Sequence, residues 1–257
     1  MLKNFKGNMF LFSELIKRDF KKKYKNTYLG MIWSVLSPLL TLLVMYFVFS
    51  HFYEEGGGEN FITYLFCGNI VFSFFSESTS GGMTTLLMNA PIFTKINVPK
   101  HLFLLSRNIS SLINFGLTLV VFFIFCLIDG VFPTWHFLML IVPILCLVIF
   151  NTGLGLILSA LFVFFRDMQY LWRVFTQLIM YVSAIFYNPA NIADGNYTWL
   201  FYFNPLYVYI TYFRTVVLYH SVPSLELHVL AVAYALLALG VGALIYRANN
   251  HKFLYYV

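Results

Sequence analysis

Against a long apolar background, a few polar side chains could do chemistry: Glu77, the cluster of Arg166, Asp167 and Arg173, and Arg214. Glu77 falls about two-thirds along an apolar run (61–83), where an ionised acid at mid-bilayer costs roughly 2.5–3.5 kcal/mol. That cost favours an interfacial position, or pairing with a cation such as Arg107, over the role of a proton carrier. The Arg166, Asp167 and Arg173 cluster lies between two apolar runs, and guanidinium groups match the geometry of a lipid-linked diphosphate or an inner gate. Arg166 and Asp167 can equally be a structural pair. Arg214 can cap a half-helix or snorkel to headgroups. The six histidines are scattered, with neither an H-E-x-x-H pattern nor a carboxylate pair, so a catalytic centre is not indicated. Cys67, Cys126 and Cys146 sit inside apolar runs, odd in number and without C-x-x-C spacing, so no disulfide frame or metal site is expected. No G-x-x-x-x-G-K-[ST] phosphate loop occurs, so ATP-driven work would need a motor on another polypeptide.

Aromatic residues form the other chemically useful set, at 20% of the chain with 30 Phe and 18 Tyr. Trp172, Phe175, Ile179, Val182 and Phe186 recur at helical spacing with Tyr181 and Tyr187 nearby, and an earlier run offers Trp33, Tyr46, Phe49 and Phe52. Sugar rings stack on aromatic faces while their hydroxyls bond to Tyr and Ser. An aromatic conduit would hold such a ring-shaped occupant weakly at many points, as a conducting pore must. The alternative for any one ring is ordinary helix packing.

The elements that must position these residues are membrane spans. The chain is 60% hydrophobic and 10% charged, with a mean hydropathy of +0.79, against roughly 25% charge in soluble domains. About 20 apolar residues cross the bilayer. The runs 29–52, 61–83, 102–128, 137–165, 170–187 and 227–246 therefore predict an all-α integral membrane protein of six spans in one domain, 1–257. The loops alternate in charge: a basic N-terminal segment, the acidic Glu54 to Glu59 loop, then Lys95, Lys100 and Arg107, a loop with only Asp129, the Arg166 cluster, and Arg247 and Lys252 in the tail. The positive-inside rule places both termini in the cytoplasm. A seventh crossing would expel the basic tail, so 188–226 is expected to be an external re-entrant hairpin broken at Asn204-Pro205. A hairpin lying flat on the outer leaflet is the alternative.

Eight of the sixteen Lys and Arg residues lie in the first 25 positions. There Met9, Phe12, Leu15, Ile16 and Phe20 line one face of an amphipathic, interfacial helix (1–28). The later loop holding Pro91, Phe93, Lys95, Val98, Pro99 and Lys100 is long enough for a two-turn helix that could enter a groove on a soluble partner, or it is a connector.

Taken in order, several stretches resemble the permeases of ABC-type polysaccharide exporters, in the type-2 ABC exporter family of O-antigen, capsule and teichoic-acid transporters. They are Arg18-Asp19 with Lys21, Tyr24 and Lys25; Tyr28 to Trp33 and Pro38-Leu39; Phe74 to Ser78; the Pro99 loop; Phe165-Arg166-Asp167; and Asn204-Pro205-Leu206 with Arg214. The resemblance spans nearly the whole chain. It implies the channel subunit of an ATP-driven exporter that moves a lipid-linked glycan across the bacterial cytoplasmic membrane. It also implies a second copy of the chain and two ABC ATPase subunits that bind the ATP and Mg, with no cofactor in this chain and no nucleic acid. The loop from Pro91 to Lys100 would couple to the ATPase, with the N-terminal helix beside it, and the external half-helices would cap the channel. A lipid or drug permease of the same type is the alternative, followed by a membrane glycosyltransferase or acyltransferase.

Overall fold

A computed structural model describes residues 2–24, 27–53, 60–95, 98–189 and 197–256. Every regular element among them is helical: α1 (Leu2–Tyr24), α2 (Trp33–Tyr53), α3 (Phe61–Phe93), α4 (His101–Ile128), α5 (Ile141–Phe164), α6 (Met168–Val182), α7 (Thr198–Phe201), α8 (Pro205–Val217), α9 (Leu225–Asn249) and α10 (Phe253–Tyr256). Four stretches, Phe61–Phe93, His101–Ile128, Trp135–Phe164 and Leu225–Asn249, are long and apolar enough to span a membrane. The apolar stretch of α2, Trp33–Phe49, is shorter. The acidic loop 54–59 lies outside the described residues.

Helix ends follow local chemistry. Asn204 accepts from the Leu206 amide at 3.0 Å with Pro205 at the first helical position, which starts α8. Ser224 caps α9, which carries Glu226 in its first turn and Arg247 in its last, as the helix dipole favours. Gly130, at φ 81°, ends α4 while the Val131 amide reaches back to the Cys126 carbonyl at 2.8 Å.

The core lies where α3, α5, α8 and α9 meet. At the α5–α9 crossing a Cβ on Gly153 would lie 2.3 Å from the Ala238 carbonyl carbon, and one on Gly242 would lie 2.3 Å from the Gly153 oxygen. Only glycine permits that approach, the device by which membrane helices gain packing where lipid offers no hydrophobic drive. Exposed apolar side chains such as Leu127, Ile141, Leu236 and Leu244 cover the outside, as a lipid-facing surface requires.

Three differences from the span boundaries expected above matter for function. First, α3 runs ten residues past 83, to Phe93, so Pro91 and Phe93 belong to its last turn rather than to a separate loop helix. At 1.5 Å per residue its 33 residues reach about 50 Å, about 20 Å more than the hydrocarbon core. Secondly, α6 stops at Val182, because the chain turns at Ser183 and Ala184 takes a left-handed φ of 51°. Thirdly, 188–226 contains α7 and the 13-residue α8, which is buried nearly all round, with 190–196 outside the described residues. Helix α8 would measure about 20 Å, too short to cross.

Candidate functional site

Polar residues recur along one face of α3 at four-residue intervals, Asn69, Ser73 and Glu77, ending on Gly81. Such spacing stacks side chains one turn above the next. On α4 the facing set is Arg107, Ser111, Asn114 and Thr118; on α2 it is Ser34, Ser37 and Thr41. The three faces converge on a cavity of about 390 Å³ lined by Ser34, Ser37, Thr41, Asn69, Ser73, Glu77, Asn114 and Thr118, with Trp33, Thr27, Pro38 and Leu42 completing the wall. Asn114 Nδ2 donates to Glu77 Oε1 at 2.8 Å, which fixes the carboxylate on the wall. Arg107 lies one turn from Glu77, its guanidinium filling the space that a side chain at Gly81 would need. Asn114 is thus one partner of the acid. Composition could not have shown this cavity; the four-residue polar spacing in α3 was its one visible signal.

A second polar cluster seats α1. Asp19 is buried, accepts from Arg18 Nη2 at 2.7 Å and from Ser106 Oγ of α4 at 3.3 Å, and Arg18 Nη2 also donates to Asn89 Oδ1 of α3 at 2.8 Å. The amphipathic helix is therefore bonded to the bundle as well as packed on it, with Leu15 buried beneath.

The residues expected to contact a soluble partner divide. Pro91 and Lys95 are exposed, Phe93 is buried, Val98 and Pro99 lead into α4, and Ile96 and Asn97 lie outside the described residues. Lys100 turns inward. Its ammonium donates to the Asn250 carbonyl at 2.7 Å and stands 5.6 Å from the ring centres of both Phe93 and Phe253. Desolvation there pushes its pKa below the usual lysine value. The C-terminal tail, through the fully buried Phe253, is thereby tied to this loop.

The aromatic stripe divides as well. Trp172 is buried, its indole donating to Thr79 Oγ1 at 3.3 Å and its ring 5.9 Å from Phe75 on α3. Phe175 and Tyr181 face outward on the exposed side of α6 with Tyr170, Val174 and Leu178. Phe49 stacks on Phe186 at 6.0 Å, which joins α2 to the turn after α6, and Tyr181 approaches the same ring at 6.3 Å. Trp33 and Tyr46 are exposed, whereas the side chain of Phe52 lies outside the described residues. Arg166, Asp167 and Arg173 are all exposed, and Arg166 stands over the Phe162 ring at 5.9 Å.

Arg214 is neither a cap nor a snorkel. It is 3% exposed, and its three nitrogens donate to the carbonyls of Tyr64, Ala184 and Ile185 at 3.3, 3.0 and 3.1 Å, with the Tyr64 ring 3.3 Å away. Gly68 leaves room for it, since a Cβ there would meet Nη2 at 3.2 Å. Asn204 adds a bond from Nδ2 to Ser183 Oγ at 2.9 Å. These two residues hold the turn that ends α6, including the left-handed Ala184.

Comparisons with known proteins follow the same outline. The family profile described as ABC-2 type transporter matches residues 11–218. The O-antigen export system permease protein RfbA of Myxococcus xanthus is 26% identical over 244 residues, 95% of this chain and 94% of its own. A Klebsiella pneumoniae protein of the same description is 28% identical over 202 residues, 77% of each chain. The polysialic acid transport protein KpsM of Escherichia coli is 23% identical over 243 residues, 93% of each.

Proposed function

This chain belongs to the ABC-2 type transporter family, and from that premise we propose that it is the membrane subunit of an ATP-driven exporter of lipid-linked polysaccharide. The observation that carries the reading is the breadth of the match. Relatives described as O-antigen and polysialic acid transporters align over nearly their whole length and nearly the whole of this chain. A membrane-embedded wall of hydroxyls and amides with an indole beside it supports the same substrate class, because a saccharide brings hydroxyls that need partners once removed from water.

In this reading two copies assemble in the bacterial cytoplasmic membrane. A separate ATPase binds ATP and Mg, and this chain binds neither. The end of the bundle carrying α1, the 94–100 loop and α10 faces the cytoplasm. Six crossings follow, with α6 and its exit turn as the fifth, and 188–226 is the external re-entrant segment. The ATPase docks on the end of α3 and its loop, through Pro91 and Lys95, while Phe93 and Lys100 carry the push inward. Phe175, Tyr181, Phe186, Phe49, Tyr46, Trp33 and Phe52 offer stacking faces to the moving glycan, and Trp172 fixes α6 behind them. Arg166, Asp167 and Arg173, at the inner surface, receive the lipid diphosphate.

Export of a lipid-linked glycan in membrane vesicles tests the reading. It should require this chain, its ATPase and ATP together, and export that persists without this chain would overturn it. Replacing Phe175, Tyr181 and Phe186 together by Ala should cut transport about tenfold or more while ATP hydrolysis continues. Unchanged transport would remove the aromatic conduit.

A further inference from the structure

The last residues of the chain have no task in the reading above, yet the fold buries one of them completely. We infer that the C-terminal segment 250–256 is a positioning element for the 94–100 loop: through Lys100 and Phe253 it fixes that loop to the ends of α5 and α9, and export depends on the tie. The inference rests on the reading of the chain as an ATP-driven exporter whose ATPase docks at that loop, and it adds a second element to the coupling.

A chain end that carries the exposed Arg247, His251 and Lys252 would by default stay in water, and termini fray unless something holds them. Helix α10 has only four residues, too few to persist unaided, so tertiary contacts hold it. Phe253 is fully buried. Its ring stands 5.2 Å from that of Tyr246 on α9 and 6.1 Å from that of Phe164, the last residue of α5, and Tyr256 meets Phe164 at 5.0 Å. Phe253 and Tyr246 belong to a core separate from the main one, shared with Leu15 of α1, Phe93 of α3 and Phe103 of α4. Lys100 makes the tie from the loop side. It is the N-cap residue of α4, where the helix dipole disfavours a cation. Its ammonium turns instead to Asn250, the C-cap residue of α9, whose carbonyl lies at the negative end of that helix and accepts at 2.7 Å. The same ammonium stands 5.6 Å from the ring centres of Phe93 and Phe253, so one cation bridges the end of α3, the loop and the tail. A close-packed junction resists compression and passes strain on, which suits this one to carry load from a docked ATPase to the α5–α9 seam.

The experiment uses vesicles holding this chain with its ATPase and reads glycan exported per ATP hydrolysed, alongside the thermal transition of the complex in detergent. Lys100→Met keeps the stem between the two rings and removes the charge and the donor. Export per ATP should then fall at least about fivefold while the transition stays at the wild-type value. Lys100→Arg, which restores a cation and a donor, should recover most of the loss. Phe253→Ala opens the junction itself and should lower the ratio at least as far, together with a lower transition. If Phe253→Ala does not assemble with the ATPase, Lys100→Met decides alone. A Lys100→Met complex that exports as much glycan per ATP as the wild type overturns the inference. So does a loss of export matched by an equal loss of ATP hydrolysis and of thermal stability, the result expected of a tail that only holds the fold together. A wild-type complex that hydrolyses ATP without exporting glycan overturns the exporter reading itself, and this inference with it.

Discussion

Along the α5–α9 seam, Gly153 and Gly242 bring two backbones into contact, whereas between α2, α3 and α4 the facing side chains are hydroxyls, amides and one carboxylate, and they enclose space. Both seams lie among apolar helices. The first gains stability from close approach, which membrane helices need because lipid gives them no reason to exclude each other's apolar faces. The second forgoes that approach and retains polar groups whose place in the membrane is expensive. The same fold thus builds one close-packed seam and one polar, open seam.

Substitutions that fill or strip each seam sharpen the contrast. Gly153→Leu drives a side chain into the α9 backbone and should cost about 4 kcal/mol or more, seen as loss of a monodisperse peak and a collapsed thermal transition in detergent. Arg214→Ala should come next, at about 3 kcal/mol, because three buried carbonyls lose their donors. The same variant should make the buried Cys67 reactive to a membrane-permeant maleimide. Arg214→Lys should recover only part, since a single ammonium cannot reproduce the fork. Asp19→Ala, which unseats α1, should cost about 1–2 kcal/mol and raise protease cleavage within that helix. On the polar seam the order reverses between stability and activity. Ser73→Ala should shift stability by no more than about 0.5 kcal/mol, yet lower glycan export about twofold in the vesicle assay. If Ser73→Ala destabilises as much as Asp19→Ala, the polar seam is structural and the contrast fails.

Four of the spans were legible, because runs of twenty apolar residues have few other uses. The end of α3 was not. The apolar run stops at 83, and Thr84, Thr85, Asn89 and Pro91 follow it. In the fold the helix satisfies its own polar side chains: Thr85 Oγ1 donates to the Gly81 carbonyl at 2.7 Å and Asn89 Nδ2 to that of Thr85 at 2.8 Å. The division of the α6 stripe was equally hidden, since helical spacing groups Trp172 with Phe175 but does not say which ring turns toward Thr79. The early end of α6 depends on Arg214, some thirty residues later, and no local signal carries that. Glu77 and Asn114 could be picked out singly as polar residues in apolar runs. Their convergence with α2 is a fact of packing, and only the four-residue beat in α3 hinted at it.

About two-thirds along its length, α3 crosses α5 where Gly82 meets Gly155, close enough that a Cβ on the former would lie 3.2 Å from the latter's Cα. From that crossing it is roughly 16 Å to Phe93, where the overhang ends, and roughly 20 Å the other way to Asn69 on the cavity wall. One continuous helix therefore carries both the cavity wall and the tip at Phe93. Between that tip and Asn69 and Ser73 the backbone runs without a loop, so wall and tip belong to one element.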